Sequence, residues 1–76
     1  MAIEISRIDV ETTTKIDTVD TNTTYVGEAK LEASTADAVW QILKITKSGT
    51  ETSVLSADSD LRFDNIWDSR TSLIYG

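Results

Sequence analysis

The sequence predicts an all-β fold, a small sandwich or open barrel of five to six antiparallel strands, on three observations. Its twelve threonines are concentrated in "ETTTKIDTVDTNTTYVG", with valine and isoleucine interspersed, and β-branched side chains suit a pleated surface. The stretch "TTYVGEAKL" alternates with period two, putting Tyr25, Gly27, Ala29 and Leu31 on one face and Thr24, Val26, Glu28 and Lys30 on the other. The turn "TKSGT" is followed by the apolar run "TETSVLSA", and Gly49 supplies the positive φ a tight hairpin turn requires. A disordered threonine tract would normally carry proline and lack regular apolar positions. This chain has no proline, and Ile16, Val19, Tyr25 and Val26 interrupt the tract.

Each element follows in chain order. Ile3 and Ile5 alternate with polar neighbours, as do Ile8 and Val10, but the second pair is out of phase with the first. A bulge or break near Ser6 and Arg7 absorbs that slip. Asn22 in "NTT" matches a glycosylation sequon and reads as a turn. Gly27, inside a strand, marks a bulge or a close packing contact. In "STADAVWQILKI" a helix and a strand compete. The helix would use Ser34 as N-cap and Asp37 at the capping-box position, with Ala36, Val39, Trp40 and Leu43 on one face. The strand would place Trp40 and Ile42 on one face and Val39, Leu43 and Ile45 on the other, a central strand covered on both sides. The strand is preferred because the following turn and "TETSVLS" complete a hairpin. "EASTADA" is then a loop, and the terminal "TSLIYG" a short closing strand.

Composition narrows the function classes. Seventy-six residues make one domain, near the size where a single core is only marginally sufficient. Residues 1–23 form an extended N-terminal arm or edge strand of it. The absence of cysteine and histidine removes disulfides and the usual zinc ligands. Seven basic residues against thirteen acidic ones give a net charge of −6, which disfavours nucleic acid and anionic lipid as partners. "MAIEISRIDVE" has no long apolar run, so neither a signal peptide nor a membrane span is expected there. No activated nucleophile, histidine base or phosphate-cradling glycine loop stands out. A carboxylate-pair enzyme would need a larger scaffold to shape its cleft. No cofactor and no catalytic activity are therefore expected.

The segment "ADSDLRFDNIWDSR" sets Phe63, Ile66 and Trp67 among four aspartates. Asp58, Asp60, Asp64 and Asp68 fail the calcium-loop pattern, since Arg62 takes the next ligand position and Phe63 the glycine position. They read as a solvated turn, its aspartates capping backbone amides and pairing locally with arginines. Phe63 and Trp67 are four apart, so one helical turn could present both, with Ile66 alongside. Two uses are open. The aromatic pair could plug one end of the core, or Trp67, with Arg70 beside it, could sit at an assembly interface, where Trp and Arg are enriched.

The run "TYVGEAK", then "STADAVWQILKIT", then "FDNIWDSRTSLIYG" resembles a family of small, mostly uncharacterised proteins of tailed bacteriophages, over about residues 24–76. The loop between Gly27 and Trp40 departs from that pattern in lacking a second glycine, and Leu43 stands in place of a basic residue. The resemblance implies a non-enzymatic structural or attachment protein of the virion, in the capsid, neck or tail. Its partners would be other phage structural proteins, with this chain present as a homo-oligomer or in repeated copies. Phe63, Ile66, Trp67, Arg70 and Tyr75 are the interface candidates. The alternative is a soluble binding module, either a sugar-binding domain using an exposed tryptophan or an acidic binder of a host protein.

Overall fold

The computed structural model of the protein describes residues 12–76. The expected alternations at Ile3, Ile5, Ile8 and Val10, the break near Ser6 and Arg7, and the first part of the 1–23 arm lie outside the described residues. The threonine tract forms β1 (Thr12–Asp20) and opens β2 (Thr23–Lys30), and the two make a hairpin. At its turn the Asn22 amide donates to Asp20 Oδ1 at 2.7 Å, the side-chain turn chemistry that suits Asp and Asn. β3 (Ala38–Ser48) and β4 (Glu51–Ser56) form the second hairpin, and Gly49 at φ 65° supplies the left-handed residue between them. A two-residue β5 (Asn65–Ile66) pairs with the start of β3 and leads into a 3-10 helix, Trp67–Ser72.

Among the described residues the result is an antiparallel five-stranded sheet, ordered β1-β2-β3-β4 with β5 on β3. The fold is all-β, and the sheet stays open rather than closing into a barrel. The strand reading of "STADAVWQILKI" holds. Ser34 caps a turn and not a helix: its hydroxyl accepts the Ala36 amide at 3.2 Å and its carbonyl the Asp37 amide at 3.1 Å.

Register defines the two faces. Lys15 faces Gly27 and Gly27 faces Ile42, while Ile16 faces Val26 and Val26 faces Leu43. The inner face therefore carries Tyr25, Gly27, Ala29, Trp40 and Ile42. With Ala57 and Trp67 these side chains make the core, Trp40 being 0% exposed and Ile42 1%. The Trp67 ring tilts over Trp40 at 5.7 Å between centroids, an arrangement aromatic pairs favour. Gly27 is there for close packing and not for a bulge. A Cβ at this position would run into the Trp67 ring and come within 3.1 Å of Trp40 Cε3.

Two expectations are corrected. β3 is central, pairing β2 along 41–46 and β4 along 43–48, but the described residues cover it on one side only. Its outer face leaves Val39 38% exposed, with Leu43 and Ile45 half-buried. Residues 31–37 and 57–76 supply one covering layer, enough for one face. The terminal "TSLIYG" does not form a strand, because Thr71 and Ser72 finish the 3-10 helix. What remains is a single bridge, Tyr75 to Ala57, flanked by the Gly76 amide donating to the Ser56 carbonyl at 3.1 Å and the Asp58 amide to the Ile74 carbonyl at 2.7 Å.

Candidate interaction surface

The C-terminal candidates separate according to how the chain leaves β4. Asp58 and Ser59 both take positive φ in a tight turn, 58° and 59°. The chain then runs irregularly to Asp64, enters β5 and winds into the 3-10 helix. Phe63 and Trp67 consequently do not share a helical turn, which corrects that expectation. Trp67 is 6% exposed and fills the core, whereas Phe63 lies on the surface, 49% exposed. Ile66, Arg70 and Tyr75 are half-buried. Asn65, 5% exposed, donates from Nδ2 to Asp64 Oδ1 at 3.3 Å.

Arg70 organises this corner. Its guanidinium carbon stands 4.6 Å from the Trp67 ring centroid, a cation–π contact. Nε and NH2 both donate to Asp17 Oδ2, at 3.0 and 2.9 Å, and NH1 donates to the Trp67 carbonyl at 3.0 Å. The 3-10 helix is thereby tied to β1 across 53 positions of sequence. Beside this tie runs an open groove of about 400 Å³, lined by Thr14, Lys15, Ile16, Asp17, Trp67 and Arg70. The Tyr75 hydroxyl donates to the Arg70 carbonyl at 2.8 Å. Burial, reinforced by the neighbouring Tyr25 and partly opposed by Arg70, pushes the Tyr75 phenol up from 10.0 to about 12. Lys44 Nζ lies 5.9 Å from the Tyr25 ring centroid and 5.7 Å from that of Tyr75.

Of the aspartates in this segment, Asp60 caps a backbone amide as expected, but the local pairing with arginines is corrected: among the described residues the ion pair of Arg70 is with Asp17 of β1. Asp60 Oδ1 accepts the Arg62 amide at 3.0 Å, and Asp68 Oδ2 accepts the Thr35 hydroxyl at 3.2 Å. With the Asp68 amide donating to the Thr35 carbonyl at 3.1 Å, this contact docks the loop of residues 31–37 on the 3-10 helix. Among the described residues no group of three or more acidic side chains is placed to hold a metal ion. The Asp17–Arg70 tie was missed from sequence. The alternation of β1 could have put Asp17 on the inner face, but only the register with Tyr25 shows that Arg70 reaches it.

The larger surface is the outer face of the sheet. Ile16, Val26 and Leu43 form one cross-strand row, and Thr18, Thr24, Ile45 and Val54 the next. Ile16 is 67% and Val54 57% exposed. Fold and surface together define a small all-β module with an open antiparallel sheet, one face packed on its own C-terminal segment and the other, uncovered among the described residues, carrying a band of apolar side chains between polar ones. No family model, no curated protein and no solved structure matches the chain.

Proposed function

We propose that the chain is a non-catalytic structural or attachment component of a tailed-phage particle, acting through protein–protein contacts in the head, neck or tail. The observation that carries the assembly role is the outer face. Both tryptophans lie inside, yet Ile16 and Val54 stay more than half exposed on a regular sheet. Contiguous exposed apolar surface of this kind is a feature of interaction sites, and a core this small gains stability when a neighbour covers more of it. The phage setting rests on the residues quoted above, from "TYVGEAK" to the "DNIWDSR" ending. Trp40 and Trp67 are 0% and 6% exposed, which removes the exposed indole a sugar-binding platform would use. An acidic binder of a host protein is the remaining rival, supported by the net charge of −6.

Mass spectrometry of gradient-purified particles tests the proposal. The chain is expected at a fixed stoichiometry to the coat or tail proteins. Its consistent absence, with those proteins all detected, would overturn the virion role. Recovery on a host protein in infected cells, and never in particles, would favour the rival.

A further inference from the structure

β1 is an outer strand, paired with β2 alone among the described residues. Its pairing is regular from Thr12 to Thr18, the register shifting only after Thr18, and it contains no proline. Such an edge presents a row of N–H and C=O groups that another strand can take up. Lys15 and Asp17 stand two apart and so share the inner face, with Ile16 between them on the outer face, 67% exposed. We propose that β1 is a homotypic docking edge. Two copies of the chain pair β1 with β1, antiparallel about a two-fold axis at Ile16, and join their sheets into one.

Charge selects this register. Centred on Ile16, Lys15 faces the partner's Asp17 and Asp17 faces the partner's Lys15, while Ile16 faces the partner's Ile16 and Thr14 the partner's Thr18. Facing side chains must project from the same side of the sheet, so the centre can move only by whole residues. One step towards the N-terminus sets Lys15 against the partner's Lys15. One step the other way sets Asp17 against the partner's Asp17. Opposite charges directly across strands stabilise pairing and like charges oppose it, which leaves the Ile16-centred register as the one satisfying both positions. Lysine on an edge ordinarily guards against pairing; here the aspartate two residues on makes it selective for a second copy. The other outer strand, β4, has a single charge at its start, Glu51, and no such self-complementarity. Local geometry agrees. Arg70 uses Oδ2 of Asp17 for both its contacts, at 3.0 and 2.9 Å, so Oδ1 is the acceptor for the incoming ammonium. The groove bordered by Lys15, Asp17 and Arg70 gives that side chain room. On the outer face, the Ile16–Val26–Leu43 row runs on into its copy.

The pairing is a property of the purified chain and does not depend on a place in any particle. Sedimentation equilibrium of the full chain should approach twice its 8.4 kDa as concentration rises. Lys15→Asp should raise the dimer Kd by roughly tenfold or more without changing the circular dichroism. Mixing it with Asp17→Lys should restore association, because each copy then supplies the charge the other lacks. Should Asp17→Lys fail to fold for want of its Arg70 pair, introduced thiols test the same register, since the chain has no cysteine. Ile16→Cys should crosslink with itself under mild oxidation, the facing Cα atoms being about 4.5–5.5 Å apart. Thr14→Cys and Thr18→Cys should crosslink with each other and not with themselves. A monomer at every concentration overturns the proposal, and is the result expected if the chain's own residues 1–11 occupy the edge. A dimer indifferent to Lys15→Asp, or self-crosslinking of Thr14→Cys as efficient as that of Ile16→Cys, overturns it equally.

Discussion

The two faces of the sheet are built from similar strand residues and end in opposite states. On the inner face, Tyr25, Ala29, Trp40 and Ile42 are all at most 6% exposed. On the outer face, on the strands flanking that core, Ile16 and Val54 are 67% and 57% exposed. Hydrophobicity of the strands does not separate them. What separates them is the supply of covering chain: residues 31–37 and 57–76 return over the inner face, and Trp67 closes it where Gly27 leaves space. A small sheet can stabilise one face with its own sequence and leave the other for neighbours.

The most severe break of this contrast is Trp40→Ala, expected to cost about 3–5 kcal/mol. A domain this small has little more stability than that, so chemical denaturation followed by circular dichroism should find the variant largely unfolded. A cooperative, native-like transition would mean the inner face does not carry the fold. Gly27→Ala is next. Its methyl would overlap the Trp67 ring, and the overpacking should cost about 1–3 kcal/mol, read as a lower denaturation midpoint with Trp fluorescence shifted to the red as the indole is displaced.

Arg70→Ala probes the edge where the faces meet. The ion pair is partly exposed, with side-chain exposures of 24% for Arg70 and 34% for Asp17, and should contribute about 0–1 kcal/mol. Stacking on Trp67 adds about 0.5–1 kcal/mol. Asp17→Asn should lose only the first part, so a double-mutant cycle separates the two contributions.

Tyr75 offers a pH test. Its folded phenol titrates at about 12 against 10.0 when unperturbed, so between those values the folded state holds a proton that the unfolded chain has released. Stability from this group is therefore complete below pH 10 and is lost as pH rises towards 12. Tyr75→Phe, which also gives up the hydrogen bond to the Arg70 carbonyl, should lower stability by about 1 kcal/mol at neutral pH. It should also show a shallower decline of melting temperature in alkali than the unaltered chain. Parallel declines would remove Tyr75 as the cause. The smallest effect is expected at the outer face, where Val54→Ser should change the stability of the isolated chain by no more than about 0.5 kcal/mol. A loss as large as that at Gly27 would show that this face is packed after all.

Local pattern carried much of the fold. The threonine tract became a hairpin because β-branched residues with interspersed apolar positions favour extended chain, and Gly49 marked the second turn through the left-handed conformation that glycine, unlike other residues, adopts without strain. Period-two alternation placed Tyr25, Gly27 and Ala29 on one face, and the hairpin argument preferred strand over helix for "STADAVWQILKI", whose second part opens β3. Of the interface candidates, Phe63 and Trp67 could not be told apart. Both are large aromatics in the same acidic segment, and their exposures of 49% and 6% depend on where the chain turns after β4.

The sequence by itself thus determined the strand character, the hairpin turns and the inner position of Trp40, since each follows from interactions within a few residues or from side-chain alternation; at Gly27 it left a bulge and a close contact open, and the Trp67 ring decided for the contact. Only the tertiary structure decided that one face is covered, that "TSLIYG" ends in a single bridge, and that Arg70 reaches Asp17 from 53 positions away. Those outcomes depend on strand register and on the path of the chain over the sheet, and both are set by closing long loops around Trp67, to which no local pattern is sensitive.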